Sequence, residues 1–260
     1  MIWLALLVVL AACGGGSSSG SGGSGGVPKT PQADWLIGGG MTQGWYLHPR
    51  EMVDAVADVG LSFTEIEWVS DQQSIACPHG AARANDWFGT DMRAAEEVVD
   101  QARKRNVTVF INIANANNCA VMSQPDGWFL DRLEEVLVIG YDHVLIQAVS
   151  EPWAAPERSA HWIELARRKV HPENFVGPGG AFMDTHYCDF GKLVTALRTG
   201  RQHEISNTDC RPILNPGPEA AAELARASLL TKSPLLIYDF FARDLSTFTP
   251  TLKAMGDAIR

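Results

Sequence analysis

From Trp35 onward, short apolar runs rich in β-branched residues alternate with longer stretches in which apolar side chains recur every three or four positions. This is the pattern of strand–helix–strand units around a parallel sheet. The runs predict strands at Trp35–Gly39, Leu61–Trp68, Val107–Ile113, His143–Val149, Phe175–Gly177, Met183–Tyr187, Glu204–Thr208 and Leu235–Phe240. Between and after them, helical periodicity covers Pro49–Val59, Asp91–Arg105, Asp126–Ile139, Pro156–Val170, Asp189–Thr199, Pro218–Thr231 and Thr247–Ile259. Met52, Val53, Val56 and Val59 make one apolar face on the first helix, and Ala94, Ala95, Val98, Val99 and Ala102 make one on the second. Eight strand units in this length predict an α/β protein of the (β/α)8, or TIM, barrel type. An open doubly wound sheet is the competing arrangement. It normally carries a Gly-x-Gly-x-x-Gly loop after its first strand, and Gly38-Gly39-Gly40 is not that pattern and has no helix directly behind it.

The pattern breaks at the amino end. Met1–Ala12 is almost wholly apolar, well short of the ~20 residues that span a bilayer, and stops at Cys13, which predicts a signal peptide. Leu10-Ala11-Ala12-Cys13 resembles the lipobox of bacterial lipoproteins, in which cleavage before the cysteine leaves it to be acylated. More than one acyl chain makes a stable anchor. An ordinary signal peptide with a chance cysteine is the plainer alternative, and the usual basic n-region is missing. Gly14–Gly26 contains only Gly and Ser, which bury too little to offset the entropy of ordering, so residues 13–34 read as a tether. The expected organisation is a signal peptide at 1–12, a lipidated cysteine and linker at 13–34 and one domain at 35–260. The protein is expected to be exported, lipid-anchored at the periplasmic face or cell surface, and a monomer.

The formal net charge of −9 comes with no basic stripe, which argues against nucleic acid as a partner. Beyond Cys13 there are four cysteines, Cys77, Cys119, Cys188 and Cys210. An even number in an exported chain favours disulfides, and without Cys-x-x-Cys or His-x-His spacing no metal and no cofactor is expected. In the barrel order, Cys77 and Cys119 follow neighbouring strands, as do Cys188 and Cys210. Adjacent loops can bring Cα atoms within the reach of a disulfide, which predicts Cys77–Cys119 and Cys188–Cys210.

Barrel chemistry sits at the C-terminal ends of the strands. There the chain places Glu65 to Trp68, Asn112 and the Asn115/Asn117/Asn118 turn, Ser150-Glu151-Pro152-Trp153, Asp184 to Tyr187, Ser206 to Asp209 and Tyr238-Asp239. Ser150-Glu151-Pro152-Trp153, between a strand and a helix, resembles the Asn-Glu-Pro motif after strand 4 in the cellulase and mannanase clan of retaining (β/α)8 glycoside hydrolases. His186-Tyr187 is similar to the clan's element after strand 6. The resemblance implies that Glu151 is the general acid/base, that Tyr187 supports a nucleophile and that the partner is a carbohydrate. By the same resemblance Asp209, in Ser206-Asn207-Thr208-Asp209, takes the strand 7 position. The chain departs from the clan in having Ser150 for the asparagine and in lacking a glutamate there. Glu204 is the runner-up, at the opposite end of that strand.

Glycoside hydrolysis needs two carboxyls flanking one bond, about 5–5.5 Å apart for retention and ~6.5–9.5 Å for inversion. Asp209 is a methylene shorter than glutamate, which leaves both outcomes open. Substrate-binding candidates are Glu67, Trp68, Asn112, Ser150, Trp153, His186, Tyr187, Asn207, Tyr238 and Asp239. Trp45, Trp68, Trp87 and Trp153 are candidate platforms for sugar rings. A Glu-Pro at a strand–helix junction is also an ordinary helix start, with the carboxylate against the dipole. The expected function is therefore a glycoside hydrolase, with a catalytically inactive barrel lipoprotein that binds carbohydrate or a protein partner as the alternative.

Overall fold

A computed structural model describes residues 36–41, 45–68, 70–71, 87–88, 92–208, 213, 216–239 and 244–260, with the backbone alone at 70–71, 87–88, 92, 119–120 and 239. Cys13, the tether, Cys77, Asp209 and Cys210 lie outside these residues, as do the side chains of Trp87, Cys119 and Asp239.

Eight parallel strands form one sheet: β1 (Ile37–Met41), β2 (Phe63–Glu67), β3 (Thr108–Asn115), β4 (Val144–Ser150), β5 (Phe175–Val176), β6 (Met183–His186), β7 (Glu204–Asn207) and β8 (Leu235–Asp239). Their order is β5-β4-β3-β2-β1-β8-β7-β6. The two ends of this series meet through one parallel bridge, Val176 to Phe182, so the sheet curls into a nearly closed (β/α)8 barrel. The helices around it are α1 (Pro49–Asp58), α2 (Met92–Arg105), α3 (Asp126–Ile139), α4 (Pro156–Arg167), α5 (Phe190–Arg198), α6 (Pro218–Thr231) and α7 (Leu245–Ile259).

Local chemistry sets these boundaries. Proline opens α1, α4 and α6, where its missing N–H costs no hydrogen bond. Asp189 caps α5 by accepting from the Lys192 amide, and Asp244 caps α7 by accepting from that of Ser246. No helix follows β5. Gly177-Pro178-Gly179-Gly180-Ala181 turns directly into β6, with Gly177 and Gly179 at φ of 140° and 84°. A Cβ at Gly180 would stand 2.0 Å from the Phe175 carbonyl oxygen. The barrel wall is therefore uncovered between β5 and β6.

The glycines of β1 do not end the strand, as the sequence suggested, but form its body. A Cβ at Gly38 would lie 1.6 Å from the Phe63 carbonyl oxygen, and one at Gly39 2.7 Å from that of Ile237. Strand β1 is squeezed between β2 and β8, and only a residue without a side chain fits.

Two apolar cores result from the alternation of side chains. The inner one, at the barrel floor, holds Phe63, Phe110, Leu145, Ile205 and Leu236. Phe63 and Phe110 stack there with ring centroids 6.1 Å apart. The outer core fills the layer between sheet and helices, where Phe129 and Trp162 stack at 4.6 Å. Two residues further along the inward series of β2, β3, β4 and β7, the inner face turns polar at Glu65, Asn112, Gln147 and Asn207. That polar layer is the base of the site.

Candidate active site

Strand β4 delivers Glu151 one residue beyond its C-terminal end. Its backbone is left-handed, with φ 50° and ψ 48°, and Pro152 follows as the first residue of a short 3-10 helix, Pro152–Ala154. This conformation is unfavourable for a residue with a side chain, costing on the order of 1 kcal/mol or more, and such strain gathers at functional sites. The turn from β3 supplies Asn117, whose side-chain amide donates to Glu151 Oε2. Asn117 is itself fixed by its own N–H, which donates to Asn115 Oδ1 at 2.8 Å. Two adjacent strands thus aim Glu151 from both sides.

Glu151 lines a cavity of about 280 Å³, together with Gln147, Trp153, Asp184, Thr185 and His186. Trp153 is 68% exposed, and an indole held in water beside a cavity is available to a ligand. Below it, Asp184 Oδ2 is 2.8 Å from His186 Nε2 and accepts from Gln147 Nε2 at 3.2 Å. The Asp184 side chain is 1% exposed and that of His186 11%. Asp184 Oδ1 and Gln147 Oε1 are buried with no hydrogen-bond partner among the described residues. On the β2–β3 side, Glu65 accepts from the Asn112 amide, and both are buried.

The structure brings Glu151, Trp153 and His186 to one cavity and sends other candidates elsewhere. Trp68 is fully buried in the outer core, with its indole N–H donating to Glu135 on α3 at 3.2 Å, so it is no sugar platform. Phe63 belongs to the inner core, and an odd offset along the same strand puts Trp68 on the other side of the sheet. Trp45, 4% exposed, is also part of the outer core. Tyr187 likewise turns outward. Its hydroxyl donates to Glu204 and accepts from Arg201 Nη1 at 2.9 Å, while its ring packs on the outer core. Burial first, then the hydrogen bond to Glu204 and that carboxylate's charge, push the Tyr187 hydroxyl up to about 12.

The remaining candidates are placed as follows. Tyr238 is 3% exposed and packs in the inner core. Asn207 and Ser150 are buried at the ends of β7 and β4. The Ser150 hydroxyl has no hydrogen-bond partner among the described residues. Asn112 is engaged with Glu65, and Glu67 is the half-buried last residue of β2. Cys188 is disulfide-bonded. Gln147 was not named from the sequence, and Glu65, Asn117 and Asp184 were named there only as residues at strand ends, with no role assigned. Gln147 breaks the apolar run of β4 at an inward position, and Glu65 lies on the inward phase of β2, a signal that period-two alternation carries. The asparagine turn was visible as polar, but the reach of Asn117 to Glu151 depends on the shape of that turn.

No family model matches the chain, and no curated protein sequence matches it significantly. Solved structures do. A broad-specificity endoglucanase of glycoside hydrolase family 5, subfamily 4, from Clostridium cellulovorans superposes with a TM-score of 0.56 at 11% identity, over 88% of this chain and 95% of that one. A tri-modular endo-β-1,4-glucanase of the same subfamily from Bacillus licheniformis gives 0.54 at 13%, over 88% of this chain and 60% of that one. A third such endoglucanase, from Clostridium longisporum, gives 0.51 at 12%, over 81% and 85%. The fold resembles that of family 5 glycoside hydrolases. At these identities the likeness to family 5 is one of fold, and residue roles rest on this chain's own geometry. That geometry offers a carboxyl fixed by an amide at the C-terminal mouth of a barrel, an aromatic plane beside it and a buried Asp–His pair beneath. Such a set can pass a proton to an oxygen of a ligand resting on Trp153.

Proposed function

We propose that this chain is a glycoside hydrolase that cleaves an O-glycosidic bond of a polysaccharide or oligosaccharide, with Glu151 as general acid/base and Asp209 as the second carboxyl. The observation that carries this is Glu151 itself, held in a strained left-handed turn at the end of β4, fixed by Asn117 and lining a cavity with Trp153. A helix-start pair needs neither the strain nor the amide. In the reaction the Glu151 carboxyl gives its proton to the glycosidic oxygen as the bond to the anomeric carbon breaks. His186, tied to Asp184, supplies a polar wall whose ring orientation is fixed. Trp153 offers its face to the apolar side of a pyranose. The wider reading extends the proposal to the exported, monomeric lipoprotein anchored through Cys13, with a carbohydrate substrate and no cofactor.

The test is a screen of purified residues 27–260 against a panel of β-linked polysaccharides, with the Glu151→Gln variant alongside. Turnover is expected in the parent and a loss on the order of 100-fold or more in the variant, the scale of general acid catalysis. An active parent whose rate is unchanged by Glu151→Gln removes this residue from the chemistry. Glycan binding without turnover in the parent replaces hydrolysis with carbohydrate recognition. Following the anomer first formed distinguishes retention from inversion, and so reports the separation between Glu151 and its partner carboxyl.

A further inference from the structure

The cavity at Glu151 is not confined to the barrel mouth. Where β5 passes to β6 without a helix, it reaches the outside of the wall, bounded by Val176, Gly177 and Pro178 on one side and Ile163 of α4 on the other. A second groove of about 460 Å³ continues over α4, lined by Pro156, Ala160, Glu164 and Arg167. The two share Pro152, Trp153, Ile163 and Pro178 as common walls. Trp153 and Met183, 68% and 46% exposed, are both at the first cavity, so large apolar side chains meet water here.

The polar groups along the outer groove already satisfy one another. Arg167 Nε and Nη2 donate to the two Glu164 oxygens at 2.8 and 3.1 Å, and Arg168 Nε donates to Glu164 at 3.0 Å. These bonds hold the Glu164 carboxyl down to about 2. A sugar ring in this groove would find its hydroxyls facing proline, alanine and isoleucine, and the one carboxylate would be committed. Desolvating hydroxyls without replacing their hydrogen bonds is unfavourable, whereas an apolar group gains by leaving water.

We propose that this lateral groove is the leaving-group site of the reaction and takes an apolar aglycone, an aryl or alkyl group. The proposal rests on the glycosidase reading above, since it is Glu151 that would place the leaving oxygen at the groove's inner end. The glycosidic oxygen takes the Glu151 proton, the bond from the anomeric carbon to that oxygen breaks, and the aglycone departs as a neutral alcohol. A water molecule then gives its hydroxide to the anomeric carbon and its remaining proton back to the enzyme's carboxylates. The alcohol leaves through the uncovered wall between β5 and β6 without crossing the sugar side of the mouth.

Saturation-transfer NMR on the Glu151→Gln protein tests this with benzyl alcohol, phenyl β-glucoside and methyl β-glucoside as probes, in the parent background and in Ala160→Trp and Trp153→Ala. Ala160 is exposed on α4, so its replacement fills the groove without touching a core, and Trp153→Ala removes the shared wall. Saturation is expected on the aryl protons of benzyl alcohol and phenyl β-glucoside, with apparent affinity roughly tenfold weaker in both variants, the scale of one large apolar contact. Saturation confined to sugar protons, an aryl signal unchanged in the variants, or no aryl signal from either probe overturns the proposal. The glycosidase reading is judged separately by turnover of the parent on glycans. Aryl binding with no turnover sinks that reading and the leaving-group role with it, leaving an apolar ligand groove, and turnover with no aryl binding sinks the groove alone.

Discussion

Glu151 combines a chemical role with a backbone that its side chain disfavours, and the two can be separated by mutation. Glu151→Gln keeps the strain and removes the proton. Glu151→Gly removes both, and because glycine enters the left-handed region freely it is expected to be inactive yet about 1 kcal/mol more stable in urea denaturation. A glycine variant less stable than the parent shows that the Asn117 contact outweighs the strain. Tyr187 gives the pH-dependent case. Its hydroxyl is raised from 10.0 to about 12 by burial and by Glu204. The bond to Glu204 therefore contributes its full stability below about pH 10 and loses it as pH rises through 12. Tyr187→Phe is expected to lower the melting temperature at pH 8, with the gap from the parent closing between pH 10 and 12. A gap that stays constant over that range assigns the loss to packing alone.

At the scale of elements, the closest approach in the described barrel wall is a matter of sterics. Gly38→Ala puts a methyl group 1.6 Å from a carbonyl oxygen of the neighbouring strand, so no soluble folded protein is expected. Gly127, in the first turn of α3 with nothing within 4 Å of its would-be Cβ, is the control. Gly127→Ala is expected to fold and to gain up to about 1 kcal/mol from helix propensity, read by thermal melts of both variants. The strands were legible because a sheet covered on both faces writes continuous apolar runs, and α3 and α6 begin and end where their periodicity does. What the runs could not carry was the extent of β1, which was expected to stop at Gly39 and continues to Met41 because the neighbouring strands press on its glycines. The candidate site was legible where position in the strand decides it, as for Glu151 and His186, which line one cavity. Trp68 and Tyr187 were misplaced by proximity in sequence, although strict alternation from Phe63 and from Asp184 already turns both outward. Asn117 and the left-handed turn at Glu151 depend on loop shape, on which a pattern of apolar and polar positions is silent.

At the scale of the whole molecule, two expectations concern how the domain is held. If Cys13 is the anchor, Cys13→Ala shifts the protein from the membrane pellet to the soluble fraction. Equal recovery in the pellet places the anchor elsewhere. For the disulfides, non-reducing peptide mapping is expected to give Cys188–Cys210 and Cys77–Cys119, and a Cys77–Cys188 link contradicts the loop adjacency behind that pairing. The barrel itself is unevenly closed. Strands β1 and β8 run in register over all five residues from Ile37 to Met41, whereas β5 and β6 are joined by the single bridge at Val176 and Phe182. The covalent ends of the described domain therefore sit at a seam paired over five residues, and a seam held by a single bridge lies mid-chain, beside an exposed glycine-proline turn. Rejoining the first and crossing the second with new termini between Gly179 and Gly180 would give up few hydrogen bonds, so a chain reordered to start at β6 is expected to fold to the same barrel, read by its thermal melt against the parent's.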